Sequence, residues 1–309
     1  MTTLVFPGQG SQYVGMSRDF YENFNIVKDT FNLVEEVSNI NIKDIVFENQ
    51  SDLLNITKYT QLAIFCTSIS IYQVLKNEVD LSNLNIQFML GHSLGEYTAL
   101  TASDSLSIED CIKLLKIRGE LMNNASEVGE SGMAAIIGLN CDSVEKIIFE
   151  NNLLIEVAND NSPMQIVVSG RTDNLLSSEK VFIENGAKKF HKLNVSAAFH
   201  SKIMLNAEDK MKSYLNEITF LNPKTSIISN FSAKNTKDHN TILECLTQQM
   251  SNRVKWVDSI KLLERLKEDK IIEIGPGKVL SGLIKRISNS FTFYNINDIV
   301  DLKKFIDEF

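Results

Sequence analysis

The run Ile86-Gln87-Phe88-Met89-Leu90-Gly91-His92-Ser93-Leu94-Gly95-Glu96 decides how this chain is read. Ile86 to Leu90 is short, apolar and strand-like, and a helix-forming stretch begins near Glu96. Between them lies a G-x-S-x-G in the strand–turn–helix setting of a nucleophile elbow. The glycines have a steric reason: so tight a turn forces the serine into a strained backbone conformation, and Gly91 and Gly95 keep Cβ atoms out of the way. Ser93 then projects its hydroxyl at the carboxyl end of a sheet. The Leu94 N–H and a helix N-terminus face any negative charge that develops on a substrate oxygen.

Outward from the elbow, short β-branched or aromatic runs alternate with longer amphipathic ones. Leu4-Val5-Phe6 reads as a strand and Ser107 to Asn123 as a helix. This alternation indicates an α/β protein with a largely parallel sheet. The middle differs: Met133–Leu139, Leu154–Ala158, Gln165–Ser169 and Lys188–Val195 read as strands, with helices near Asp142–Glu150 and Thr172–Glu184. The order β-α-β-β-α-β is a ferredoxin-like pattern, so a subdomain is expected at 126–197, inserted in a larger domain made of 1–125 plus 198–309. Strands resume near Thr225–Ser229, Lys270–Ile274 and Phe291–Ile296.

Composition narrows the function. The 309 residues are 43% hydrophobic with 14 Gly and 4 Pro, enough for a large core and little linker. A net charge of −8 lacks the overall basic field of sequence-independent nucleic-acid binding. Cys66, Cys111, Cys141 and Cys245 lie far apart without a C-x-x-C, which argues against a zinc ribbon, an iron–sulfur cluster or a disulfide scaffold. The N-terminus has no signal-peptide pattern and no apolar stretch reaches membrane-spanning length, so a cytoplasmic location with no membrane partner is expected.

A serine nucleophile needs a base, and there are four histidines. His92 adjoins Ser93, where neighbouring side chains diverge, and is expected to pack on or hydrogen-bond a nearby loop. His239 reads as a solvated loop residue and His191 as a surface or rim residue. His200 sits where the chain leaves the subdomain, a good place to meet Ser93 across an inter-domain cleft, but position alone does not decide for it. Phe6-Pro7-Gly8-Gln9-Gly10-Ser11-Gln12 is a glycine-rich turn after the first strand. It is a poor dinucleotide loop, because Tyr13 takes the third glycine position; Gln9 can instead provide a second oxyanion donor. Gly275-Pro276-Gly277 reads as a structural strand-to-helix turn. Arg118, on a helix whose neighbours Ile112, Leu114, Leu115 and Leu121 are apolar, is open to two readings: a surface arginine with a buried stem, or a buried guanidinium awaiting a substrate carboxylate.

Together, Gly8-Gln9-Gly10-Ser11-Gln12, Gly91-His92-Ser93-Leu94-Gly95-Glu96, Arg118-Gly119, Phe199-His200-Ser201 and Glu273-Ile274-Gly275-Pro276-Gly277 resemble the malonyl-CoA:acyl-carrier-protein transacylase family. The resemblance runs nearly end to end and includes Asn159-Asp160-Asn161-Ser162-Pro163 and Gln249 before Trp256. It implies an α/β-hydrolase-like large domain with an inserted ferredoxin-like subdomain. It also implies Ser93 as acyl acceptor, His200 as general base, backbone amides of Gln9 and Leu94 as oxyanion hole, and Arg118 as partner of the malonyl carboxylate. The histidine would be oriented by a backbone carbonyl near Gln249, with an acidic partner such as Asp160 or Asp173 left open. Malonyl-CoA would be a substrate, an acyl carrier protein with its phosphopantetheine arm the partner, and no cofactor or metal is implied.

Ala197-Ala198-Phe199-His200 bears on specificity, since malonyl-selective polyketide domains often show His-Ala-Phe-His, and the Phe199 ring narrows the space for an α-methyl group. The wider Ser196-Ala197-Ala198-Phe199-His200-Ser201 resembles discrete, trans-acting polyketide acyltransferases more than typical fatty-acid enzymes. Arg253 stands where the family commonly has proline. The alternatives are a fatty-acid malonyl transacylase and a hydrolase clearing carrier-bound acyl groups. An acidic enzyme needs a local basic face to dock an acidic carrier; the candidates are Lys188, Lys189, Lys192 and Lys202, with Lys278, Lys285 and Arg286.

Overall fold

A computed structural model describes residues 1–127 and 129–308. The large sheet contains β1 (Thr2–Phe6), β2 (Ile86–Gly91), β7 (Ser226–Ile228), β8 (Asn235–Thr236), β9 (Lys270–Ile274) and β10 (Thr292–Ile296). The small one contains β3 (Ser131–Ile137), β4 (Ile155–Ser162), β5 (Gln165–Arg171) and β6 (Lys189–Lys192).

The large sheet runs β10-β9-β1-β2-β7-β8 and is parallel except for the β7–β8 pair. Helices cover both faces, so the central strands β1 and β9 are buried on both sides, as a parallel sheet requires. Leu4, Phe6, Met89, Ile272 and Ile274 enter one core with the helices Thr57–Glu78, Leu94–Ala102 and Ile108–Asn123. Val5, Leu90 and Ile271 point the other way, onto Trp256, Ile260 and Leu263 of the helix Trp256–Arg265 and Leu280 and Ile284 of the helix Val279–Ile287. The period-two alternation of each strand thus feeds two cores. Thr57–Glu78 is buried nearly all round, with Thr60, Gln61, Thr67 and Ser68 among the buried residues, because it is sandwiched between other helices. The helix Ile108–Asn123 starts where the Ser107 Oγ accepts the Asp110 N–H at 3.0 Å.

The small sheet runs β4-β5-β3-β6, antiparallel throughout, which is the ferredoxin-like order expected from the sequence. Ala134, Ile136, Ile166 and Val168 face its own helices, Cys141–Glu150 and Thr172–Glu184. Met133, Ala135 and Val167 face the large domain. That second face walls the cleft described below.

Two local differences from the sequence reading have simple causes. The strand expected over Lys188–Val195 is only Lys189–Lys192, because β6 finds a partner in β3 only opposite residues 134–137. Beyond it Leu193 donates once more, to Met133 O, and the chain turns into the cleft toward His200. The short hairpin strand β8 has no apolar alternation to reveal it. No helix among the described residues is long and apolar enough to cross a membrane.

Candidate active site

The loops that follow β1, β2 and β7 meet at the carboxyl ends of the parallel strands. In the β2 loop Ser93 takes φ 54° and ψ −108°, a strained conformation that costs on the order of 1–3 kcal/mol. A Cβ on Gly91 would sit 2.0 Å from the Gly95 carbonyl, and one on Gly95 2.2 Å from Phe6 O, so only glycine fits either side of the serine. Asn230, after β7, holds the turn: its Oδ1 accepts the Ser93 N–H at 2.7 Å, and its Nδ2 donates to Gly91 O at 2.7 Å.

His200 is the histidine that reaches Ser93. The Ser93 Oγ and His200 Nε2 are 2.9 Å apart, and Nδ1 faces the carbonyls of Gln249 at 2.9 Å and Asn252 at 3.2 Å. Carbonyls only accept, so Nδ1 carries the proton and Nε2 is left to take one from the hydroxyl. Burial, and then the Arg118 charge, push the imidazole pKa down to about 3, which keeps the ring neutral, with a free Nε2 lone pair, at physiological pH. Neither acidic alternative holds the ring. Asp173 is exposed on the helix Thr172–Glu184, and two backbone carbonyls occupy Nδ1.

Arg118 is buried, at 1% exposure, which settles its two readings against a surface role. It donates to Gln61 Oε1 at 2.6 Å, Gln249 Oε1 at 2.9 Å and Ser93 Oγ at 3.0 Å. Its guanidinium lies over the Tyr97 ring, and its Nε makes no hydrogen bond of good geometry among the described residues, so this buried cation keeps donor capacity to spare.

Gln9, Ser93, Leu94, Arg118, Phe199 and His200 border one cavity of about 140 Å³, which Met133 and Val167 of the small sheet also line. That is well below the ~300–1,000 Å³ of a drug-sized ligand site, so it suits a short acyl unit. A wider cavity of about 510 Å³ shares His200 with it and is bounded by Glu156, Lys202, Ser251 and Arg253. Gln249 lies beneath the first cavity with both its carbonyl and its amide engaged.

The other histidines do not meet the serine. His92 Nε2 lies 2.8 Å from Asn161 Oδ1 and its ring 5.4 Å from Trp256. His191 is exposed on β6; His239 heads the helix His239–Thr247 instead of lying in a loop, with Nδ1 2.8 Å from Asn222 Oδ1. Sequence reasoning assigned no part to Gln61, Asn230 or Glu96. Their partners lie 57 to 153 residues away, and only Glu96, inside the elbow motif, carried any local signal.

Comparison with known proteins agrees with this geometry. The acyl transferase domain family matches residues 3–298. A malonyl CoA-acyl carrier protein transacylase of Bacillus subtilis (strain 168) is 36% identical over 297 residues, covering 95% of this chain and 92% of that protein. The crystal structure of an acyl-carrier-protein-S-malonyltransferase from Bartonella henselae superposes with a TM-score of 0.94 at 34% identity, over 99% of this chain and 98% of the other. A type II PKS acyl-carrier protein in complex with its malonyl-transacylase gives a TM-score of 0.93 at 31% identity, over 100% and 99%. With the match running almost from end to end around an elbow serine paired to a buried histidine, this chain belongs to the acyl transferase domain family and is an acyltransferase.

Proposed function

We propose that the chain moves a malonyl group from malonyl-CoA to the phosphopantetheine thiol of an acyl carrier protein through an acyl-Ser93 intermediate. Ser93 Oγ attacks the thioester carbonyl while His200 Nε2 takes its proton; the C–S bond then breaks and the CoA sulfur leaves with that proton. In the second half the pantetheine thiol gives its proton to His200 and attacks the acyl ester. The C–O bond breaks and Ser93 recovers the proton. The N–H groups of Leu94 and Gln9 hold the oxyanion in both halves. Gln249 orients His200 through its carbonyl, and Phe199 narrows the acyl cavity.

The observation that carries this reading is one oxygen, Ser93 Oγ, lying 2.9 Å from His200 Nε2 and 3.0 Å from Arg118 Nη2. It places a buried fork-shaped cation a few ångströms from the nucleophile, where the free carboxylate of a malonyl ester would lie. A hydrolase for neutral acyl groups offers no carboxylate for that fork to bind. Intact-mass spectra test the reading directly: malonyl-CoA should add one malonyl unit to the protein, a holo carrier should remove it, and Ser93→Ala should show no adduct. An adduct that persists in Ser93→Ala refutes it.

For the pathway, the Ser196–Ser201 string supports a trans-acting polyketide role, while supply of fatty-acid synthesis fits the relatives equally well; loading rates on carriers of each kind separate the two. The reading also divides the chain into a catalytic domain of 1–125 plus 198–309 and a subdomain of 126–197, supported by the separate core that β3 to β6 build with their two helices.

A further inference from the structure

Glu96 is the acidic residue of the elbow's helix, in the first turn of Leu94–Ala102, and it is 1% exposed. A carboxylate so deeply buried is costly unless its partners need it. Its Oε2 accepts the Gln249 Nε2 at 2.7 Å and the Asn230 N–H at 3.2 Å. Those two residues hold the rest of the site between them. Gln249 gives its carbonyl to His200 Nδ1, its Oε1 to Arg118 Nη2, and its second amide hydrogen to Ser93 O at 3.1 Å. Asn230 accepts the Ser93 N–H. A carboxylate can only accept and a guanidinium only donate, so Glu96 on one side and Arg118 on the other fix which way the Gln249 amide faces.

We propose that Glu96 is a positioning residue, whose carboxylate acts through Gln249 and Asn230 to set Ser93, His200 and Arg118, and which is the internal counter-ion of Arg118 until an acyl carboxylate replaces it. The groups that face it are Arg118 from the helix Ile108–Asn123, Tyr97 on its own helix, and the neutral Gln249, Asn230 and Ser229. Burial keeps the Tyr97 hydroxyl and the nearby Cys111 thiol protonated, and His200 is neutral, so among the described residues Arg118 is the charge that acts on it. Burial lifts the Glu96 carboxyl to about 7, against the hydrogen bonds from Gln249, Asn230 and Ser229 and, last, the Arg118 charge pulling the other way. A malonyl carboxylate on Arg118 weakens that pull, so malonyl binding favours protonated Glu96. Affinity for the malonyl donor therefore falls as pH rises through 7, and affinity for acetyl-CoA, which bears the same phosphates, does not.

This inference rests on the malonyl reading of the site, and the test separates the two. KM and kcat are measured for malonyl- and acetyl-CoA from pH 6 to 9 in the wild type, Glu96→Gln and Glu96→Ala. Expected are a several-fold rise of malonyl KM with pH in the wild type, its loss in Glu96→Gln, and a kcat at least tenfold lower with both donors in Glu96→Ala. An unchanged pH slope of malonyl KM in Glu96→Gln overturns the counter-ion role, and folding of that isosteric variant is checked by its melting curve, so a poorly folding Ala variant leaves the test intact. A wild type that shows no preference for malonyl-CoA overturns the malonyl reading instead, and the effect of Glu96→Ala on acetyl transfer then decides the positioning role alone.

Discussion

Removing the Arg118 guanidinium separates what the cation does for the serine from what it does for a substrate carboxylate. In the wild type three donated bonds leave it, and only the one to Ser93 Oγ, at 3.0 Å, touches a reacting atom. A hydrogen bond to a charged group contributes roughly 1.5–3 kcal/mol, so Arg118→Ala should lower kcat/KM about 10- to 150-fold with any acyl donor. A malonyl carboxylate left in that buried cavity without its partner loses a further 2–5 kcal/mol or so. Taking about 3 kcal/mol from that range, the malonyl-to-acetyl ratio of kcat/KM should fall roughly 150-fold. The assay is acyl loading followed by quenched-flow or release of free CoA, with the two donors run side by side. Arg118→Lys should fall between, because it keeps the charge and loses the fork. Equal losses with malonyl- and acetyl-CoA would refute the carboxylate role and leave Arg118 as a support for Ser93 alone.

His200 must be neutral to act as base, and burial and Arg118 hold it neutral down to about pH 3; kcat/KM for acetyl-CoA should therefore stay flat from pH 8 to 5, and an acid limb centred near the ordinary histidine value would contradict the buried geometry. In Arg118→Ala that limb should move upward, because the largest cause of the depression after burial is gone. Gly95→Ala places a Cβ 2.2 Å from Phe6 O and should lower Tm by several degrees or abolish soluble protein, whereas Gly282→Ala, at an exposed helix position with open space around it, should gain about 0.5–1 kcal/mol in a denaturant melt. Reversing the exposed Lys188 and Lys189 to Glu together should raise KM for the carrier several-fold at low salt and spare KM for malonyl-CoA; no change in either removes that edge of the subdomain as a docking face.

Local chemistry is legible in a linear sequence where short-range sterics enforce it. The elbow at 91–95, the parallel-sheet strands and the β-α-β-β-α-β order all depend on residue spacing, so Ser93 and both sheets could be read before any coordinates. Strand ends were less legible: β6 stops where its partner does, which no propensity of Lys188–Val195 encodes. The candidate base was narrowed to four histidines by counting, and only the family resemblance singled out His200, because its 2.9 Å approach to Ser93 spans 107 residues.

By itself, then, the sequence determined the nucleophile, the fold class and the kind of reaction, since these follow from backbone sterics and from which side chains can do chemistry. Tertiary structure alone decided the rest. It buried Arg118, set the proton on Nδ1 of His200 through two carbonyls, and joined Gln61, Asn230, Gln249 and Glu96 beneath the site. Charge state and hydrogen-bond partnership depend on burial and on neighbours brought from distant parts of the chain, and those exist only once the chain has folded and brought Gln61, Glu96, Arg118, Asn230 and Gln249 together.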